Sequence, residues 1–165
     1  MAKGREKVER KPRSDDVTVN TGGLKSSIGF SLRRAQLSMY GDFVHFMKHL
    51  EVRPSQFAVL VLLLENPGIS PSSVSFTLGI QKANFVSLNY ELERRGLVER
   101  RRLSHDRRAI ALHLTPLGQS FSKKVVSAHA KLEKSLADRL GPKDSALFLE
   151  FLNRFADSVR PPSVL

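Results

Sequence analysis

The chain has 165 residues, 41% of them hydrophobic and 26% charged, the size and composition of one globular domain with a real core. It contains no cysteine, which excludes disulfides, thiolate metal sites and cysteine-based redox sensing. A formal net charge of +11 points to a polyanionic partner, nucleic acid or an anionic surface, unless the charge serves solubility alone.

The start, Met1 to Arg13, is basic and polar and does not read as a secretory signal. No apolar run approaches the roughly 20 residues that span a bilayer. The expected location is therefore cytoplasmic, with no membrane partner. Residues 1–23 read as a disordered basic arm, because Lys3, Arg5, Lys7, Arg10, Lys11 and Arg13 sit in a segment with too little apolar surface to offset ordering entropy. The arm is either a phosphate-touching extension or a solvated tail.

From Ser26 to Leu50 apolar residues recur at helical spacing, through Ile28, Leu32, Ala35, Met39, Phe43, Phe46 and Leu50, and predict a long amphipathic helix. A second helix is expected from Pro54 to Glu65. It is apolar on nearly all sides between Phe57 and Leu64, hence buried, and stops at Asn66-Pro67-Gly68. Ser70 then reads as an N-cap with Pro71 in the first turn of a short helix ending at Leu78-Gly79. A further helix runs from Lys82 to Arg95 and stops at Gly96. Two helices joined by a tight glycine turn form a helix-turn-helix pattern.

Two short strands follow, Leu97 to Arg101 and Ala109 to Leu114, the second alternating Ile110, Leu112 and Leu114 against Ala109, Ala111 and His113. The charged tip Arg102 to Arg108 lies between them. Thr115-Pro116 opens a long helix with Leu117, Phe121, Val125, Ala128, Leu132 and Leu136 on one stripe. Gly141-Pro142 breaks it, and a last helix carries Leu147, Phe148, Phe151, Leu152, Phe155 and Val159 before Pro161-Pro162.

This order places a basic hairpin directly after a candidate recognition helix. Arg94, Arg95, Arg100, Arg101, Arg102, Arg107 and Arg108 all fall in this stretch, and such clustering separates DNA binding from diffuse solubility charge. The B-DNA major groove admits a helix, and an adjacent hairpin reaches the next minor groove.

Two segments, LGIQKANFVSLNYELERRGLVER (Leu78 to Arg100) and SHDRRAIALHLTPLG (Ser104 to Gly118), resemble the MarR family of winged-helix regulators. The resemblance covers about Ile28 to Leu140. It implies a mainly α (α+β) fold, a winged helix-turn-helix whose N- and C-terminal helices form a dimerisation domain. The expected division is 24–53 with 116–160 for dimerisation, 54–115 for the DNA-binding lobe, and 161–165 as a tail. Within the recognition helix Asn84, Phe85 and Val86 stand where Thr-Val-Thr is usual, and Ser87 stands where a basic residue is frequent. The operator therefore does not carry over from any relative.

On that helix Phe85, Leu88 and Leu92 make the inward stripe, so Gln81, Lys82, Asn84, Val86, Ser87 and Tyr90 are candidates for DNA contact. Asn and Gln bond adenine edges, Lys suits guanine or phosphate, and Val meets a thymine methyl. The alternative is a solvated polar face. For the wing, the resemblance implies that Asp106 orients Arg108 into the minor groove while Arg101, Arg102 and Arg107 meet phosphates. A narrow minor groove attracts arginine; the alternative is a flexible charged turn.

His45 and His49 have a metal-chelating spacing, with Asp42 the nearest acid, but too few ligands accompany them and amphipathic-helix histidines are the expected reading. No nucleophile motif, paired carboxylates or phosphate loop appears, so neither an enzyme nor a cofactor is expected.

Phe30, Phe43, Phe46 and Phe57, beside Arg33, Arg34, Lys48 and Arg53, would suit an aromatic carboxylate or its acyl-CoA thioester as effector. Gly29 to Phe43 also resembles the hydroxycinnamoyl-CoA-responsive regulators of the family. The competing assignment makes the phenylalanines core and the arginines surface.

Three functions of different class are thus open. They are a ligand-responsive repressor binding an inverted repeat as a homodimer, a constitutive or architectural DNA-binding protein, and a basic module for lipids or RNA.

Overall fold

The computed structural model describes residues 20–102 and 110–158. Its elements run α1 (Ile28–Met47), α2 (Pro54–Glu65), α3 (Pro71–Thr77), α4 (Lys82–Arg94), β1 (Val98–Arg102), β2 (Ile110–Leu114), α5 (Pro116–Leu140) and α6 (Pro142–Ser158). The boundary between two compact units falls at Leu37/Ser38, inside α1.

The helix starts follow local chemistry. Pro54 and Pro71 occupy first-turn positions where no amide hydrogen is needed. The Gln56 Oε1 accepts from the Arg53 N–H at 3.1 Å, and the Ser70 hydroxyl accepts from the Ser73 N–H at 3.1 Å. Gly79, at φ +61°, makes the turn between α3 and α4 in a backbone region that glycine enters without steric cost.

β1 and β2 pair antiparallel, from Val98 opposite Leu114 to Arg102 opposite Ile110. β2 is also bonded on its other edge. The Gly68 N–H donates to the Leu112 carbonyl, and the Leu112 N–H to the Ile69 carbonyl, each at 2.9 Å. The wing is thus rooted beneath α2 and α3.

The start of α5 is tied to that root. The Thr115 hydroxyl accepts from the Gly118 N–H at 2.9 Å and donates to the Gly96 carbonyl at 2.6 Å. The approach is so close that a β-carbon on Gly118 would lie 1.9 Å from the Leu97 carbonyl oxygen.

Two apolar cores result. One joins Val59, Leu60, Leu63, Val74, Phe85, Leu88, Leu92, Leu97, Val98, Leu112 and Leu114. The other joins Phe43, Met47, Val52, Val125 and Leu132, and Phe121 packs against both. α6 has no buried residue, and its Leu147, Phe148, Leu149, Phe151 and Phe155 are all exposed.

The differences from the sequence expectation are local. Gly22–Ser26 forms a 3-10 turn where disorder was expected through Gly23. The first helix ends at Met47, because Lys48 to Glu51 turn the chain and Glu51 takes φ +50°. β2 does not alternate cleanly. Ala111 is as buried as Leu112, since α2, α3 and α5 all pack on this strand. Leu117 is exposed, so the inward stripe of α5 begins at Phe121. The wing tip, the basic arm before Asn20 and Val159 lie outside the described residues.

Candidate nucleic-acid interface

α4 is held by its inner face, with Phe85, Leu88 and Leu92 in the core. Gln81, at its N-cap, and Lys82, Asn84, Val86, Ser87 and Tyr90 are all exposed, as the sequence predicted. Val86 and Tyr90 are each 58% exposed and sit one turn apart, an apolar rim on an otherwise polar face. An apolar rim beside amide and ammonium groups matches a major-groove edge, where methyl groups alternate with donors and acceptors.

The arginine cluster divides into inward and outward members, which corrects its reading as one DNA-facing group. Arg95 is half-buried, and its guanidinium donates to the Leu50 and Glu51 carbonyls at 3.2 and 3.1 Å and lies 5.0 Å from the Phe121 ring centroid. Its donors face the protein because the end of α4 abuts the α1–α2 turn. Arg100 donates to Glu93 at 2.6 Å, and Arg101 donates through Nε to Glu99 at 2.9 Å. Arg94 and Arg102 are exposed. Solvent-exposed pairs of this kind contribute little, about 0–1 kcal/mol, so Arg101 remains exchangeable toward phosphate. Asp106, Arg107 and Arg108 lie outside the described residues.

Sequence reasoning missed four polar side chains around α4. Asn89 is buried, and its Nδ2 donates to Glu93 Oε1 at 2.8 Å, the same oxygen that accepts from Arg100. Glu91 forms an ion pair with Arg53 and accepts from Gln56 Nε2 at 3.0 Å. Arg53 and Gln56 stand 38 and 35 residues before Glu91, so no local spacing signals these bonds.

Phe43, among the effector candidates, is buried and meets Phe57 edge-on at 5.9 Å between centroids. Phe57 in turn stacks on His129 at 4.3 Å. Phe46 packs partly buried against the same core. On the first half of α1 Phe30 is half-buried, while Arg33 and Arg34 are exposed; Arg33 donates to Gln36 at 3.2 Å.

Asp42 accepts a fork from Arg139 at 2.7 and 3.2 Å. The bonded guanidinium holds the Asp42 carboxyl below the usual aspartate value. That engagement removes Asp42 as a third ligand for His45 and His49. Among the described residues no group of three or more His, Asp or Glu is placed to hold a metal ion, and no helix is long and apolar enough to cross a membrane.

A MarR family model matches residues 50–109, the span from the α1–α2 turn to the wing. A solved structure of the transcriptional repressor CouR bound to a 23-mer DNA duplex is 35% identical, covering 85% of this chain and 99% of that one at a TM-score of 0.81. The chain belongs to the MarR family. CouR bound to p-coumaroyl-CoA aligns with 34% identity over 86% of this chain and 99% of that one, at a TM-score of 0.79. A protein assigned as transcriptional regulator of the hcr operon of Thauera aromatica is 27% identical over 93% of this chain and 95% of its own length. This MarR-family chain is a transcriptional regulator with the winged helix-turn-helix fold.

Proposed function

We propose that the protein represses transcription by binding an inverted-repeat operator as a homodimer, and that an aromatic carboxylate or its acyl-CoA thioester releases it. The carrying observation is the exposed face of α4, Lys82, Asn84, Val86, Ser87 and Tyr90, on a helix whose other face is fixed in the core. Lys82 and Asn84 are the polar readers, Val86 and Tyr90 the apolar ones, and Gln81 sits at the helix entry. Arg101, Arg102, Arg107 and Arg108 supply the wing's charge, with Asp106 orienting Arg108.

The apolar stripe of α6 supports the dimer, because phenylalanines in such number are costly to leave in water. Two-fold symmetry then matches an inverted repeat with half-sites about one helical turn apart. Two observations support the effector class. CouR, similar over nearly its whole length, takes p-coumaroyl-CoA, and the chain offers aromatic residues Phe30, Phe43, Phe46 and Phe57 together with the guanidinium groups of Arg33 and Arg34. A thioester depends more on those arginines than a simple acid does, since its phosphates add charge to be paired.

The test is selection of bound sites from random duplex DNA by the full chain, followed by titration with p-coumarate and p-coumaroyl-CoA. An inverted repeat is expected, with affinity lowered about 5–150-fold by ligand, the range of typical coupling. Arg33→Ala with Arg34→Ala should abolish the thioester's heat of binding. An operator unaffected by a broad panel of acids and thioesters leaves a constitutive regulator, and no selected duplex overturns the DNA reading.

A further inference from the structure

The exposed face of α4 is useful only if the helix is presented at a fixed angle, and two bonds from the turn between α1 and α2 fix that angle. At the C-terminal end, Arg95 sends its guanidinium onto the Leu50 and Glu51 carbonyls at 3.2 and 3.1 Å. One turn earlier, in the last turn of α4, Glu91 receives Arg53 from the end of that turn and Gln56 from the start of α2. The turn gives acceptors to the C-cap residue of α4 and a cation to its last turn, two points on successive turns of one end, so neither moves without the other.

The turn is itself a constrained element. Glu51 holds φ +50°, a left-handed conformation that non-glycine residues adopt at a cost and only when their surroundings over-determine it. Arg95 bonds the carbonyls on either side of that strained residue's α-carbon. Leu50 and Val52 pack into the core built by Phe43, Met47, Val125 and Leu132. Phe121, whose ring lies under the Arg95 guanidinium, packs against both cores.

We propose that Arg95 is the positioning residue of the recognition helix, and that with the Glu91–Arg53 pair it forms a two-point latch through which the α1–α2 turn sets operator affinity. The inference rests on the DNA-binding reading above. It takes Arg95 out of the arginine cluster read from the sequence as DNA-facing and gives it a different task. Both terminal nitrogens of Arg95 are already donating to protein, so its loss changes the pose of α4 and not the number of phosphates neutralised.

That distinction is measurable. The probes are the duplex that wild type selects from a random library and a duplex of the same composition in scrambled order. Affinity for each is read by fluorescence anisotropy across a salt series, with urea unfolding to confirm that each variant is folded. Arg95→Gln should weaken binding to the selected duplex about tenfold, within the usual range of coupling between packed sites. Binding to the scrambled duplex and the slope of log affinity against log salt should not change, because that slope counts phosphate contacts. Arg95→Lys should fail to restore specificity, since an ammonium keeps the charge without the planar fork that reaches two carbonyls.

Arg53→Gln breaks the latch at its exposed point and should give a smaller loss of the same kind; it carries the test if Arg95→Gln does not fold. Equal losses on both duplexes with a slope shallower by about one would make these arginines phosphate contacts and overturn the proposal. So would a folded Arg95→Gln with wild-type affinity for the selected duplex. Failure of wild type to select any duplex overturns the DNA-binding reading and the latch together.

Discussion

The lobe around α2 and β2 and the last helix, α6, carry the same kind of sequence pattern and have opposite fates. Leu60, Val74, Leu92 and Leu112 are wholly buried within one chain, whereas among the described residues every large apolar side chain of α6 except Leu152 is exposed. Periodicity reports that a face needs covering; it does not report what covers it. In the lobe the cover comes from segments within about fifty residues. For α6 we propose that it comes from a second copy.

The largest effect expected from this contrast is in the lobe. Leu60→Ala should cost about 2–5 kcal/mol at any protein concentration, because a wholly buried leucine leaves a cavity. Urea unfolding at two concentrations checks both magnitude and concentration independence. A cost below about 1 kcal/mol would show the lobe to be loosely packed.

Gly118→Ala should follow at about 3 kcal/mol, the upper end for overpacking, since the new β-carbon meets a backbone carbonyl that cannot swing aside. Thermal unfolding measures it. A neutral outcome would mean that α5 can slide on the root of the wing.

Phe151→Ala sharpens the contrast from the α6 side. It should weaken self-association by about 2 kcal/mol, typical of an aromatic anchor, while the fold of each chain survives. Sedimentation across a concentration series reads the shift. Unchanged association, or a stable wild-type monomer at micromolar concentration, would remove α6 from the interface.

The smallest effect is pH-dependent and belongs to the solvent-accessible Asp42–Arg139 pair. Arg139 lowers the Asp42 pKa in the folded state, so the pair stabilises the fold above the pKa of an unfolded aspartate, about 4, and that contribution is lost as pH falls through the lowered folded value. Asp42→Asn should therefore be less stable than wild type at pH 7 and converge with it as acid protonates Asp42. Denaturation at a series of pH values checks the convergence; a gap that persists in acid would assign the effect to packing.

Most of the fold was legible because its punctuation is local. Ser70-Pro71, Gly79, Gly96 and Thr115-Pro116 mark element ends by backbone chemistry that needs no distant partner. The stripe Phe85, Leu88, Leu92 likewise fixed which face of α4 is free. What was not legible is long-range pairing. Arg95 reads in sequence as another member of a basic run, and only the approach of the α1–α2 turn, some 45 residues earlier, turns its guanidinium inward. Asn89 and Glu93 were missed for a related reason: Arg100, the second donor to Glu93, lies across a turn whose geometry spacing alone does not specify.

The pairing of β2 on both of its edges has a consequence for crowding. With Ile69 on one side and β1 on the other, the small sheet offers a neighbouring molecule just one open strand among the described residues, β1 itself. That strand reads Val98, Glu99, Arg100, Arg101, Arg102. A second copy that extended the sheet there in parallel register would bring arginine against arginine along the outer half of the ladder, an arrangement disfavoured by like-charge repulsion. The arginines proposed to attract a polyanion would thus also disfavour extension of the sheet at its open edge while apolar helices seek partners.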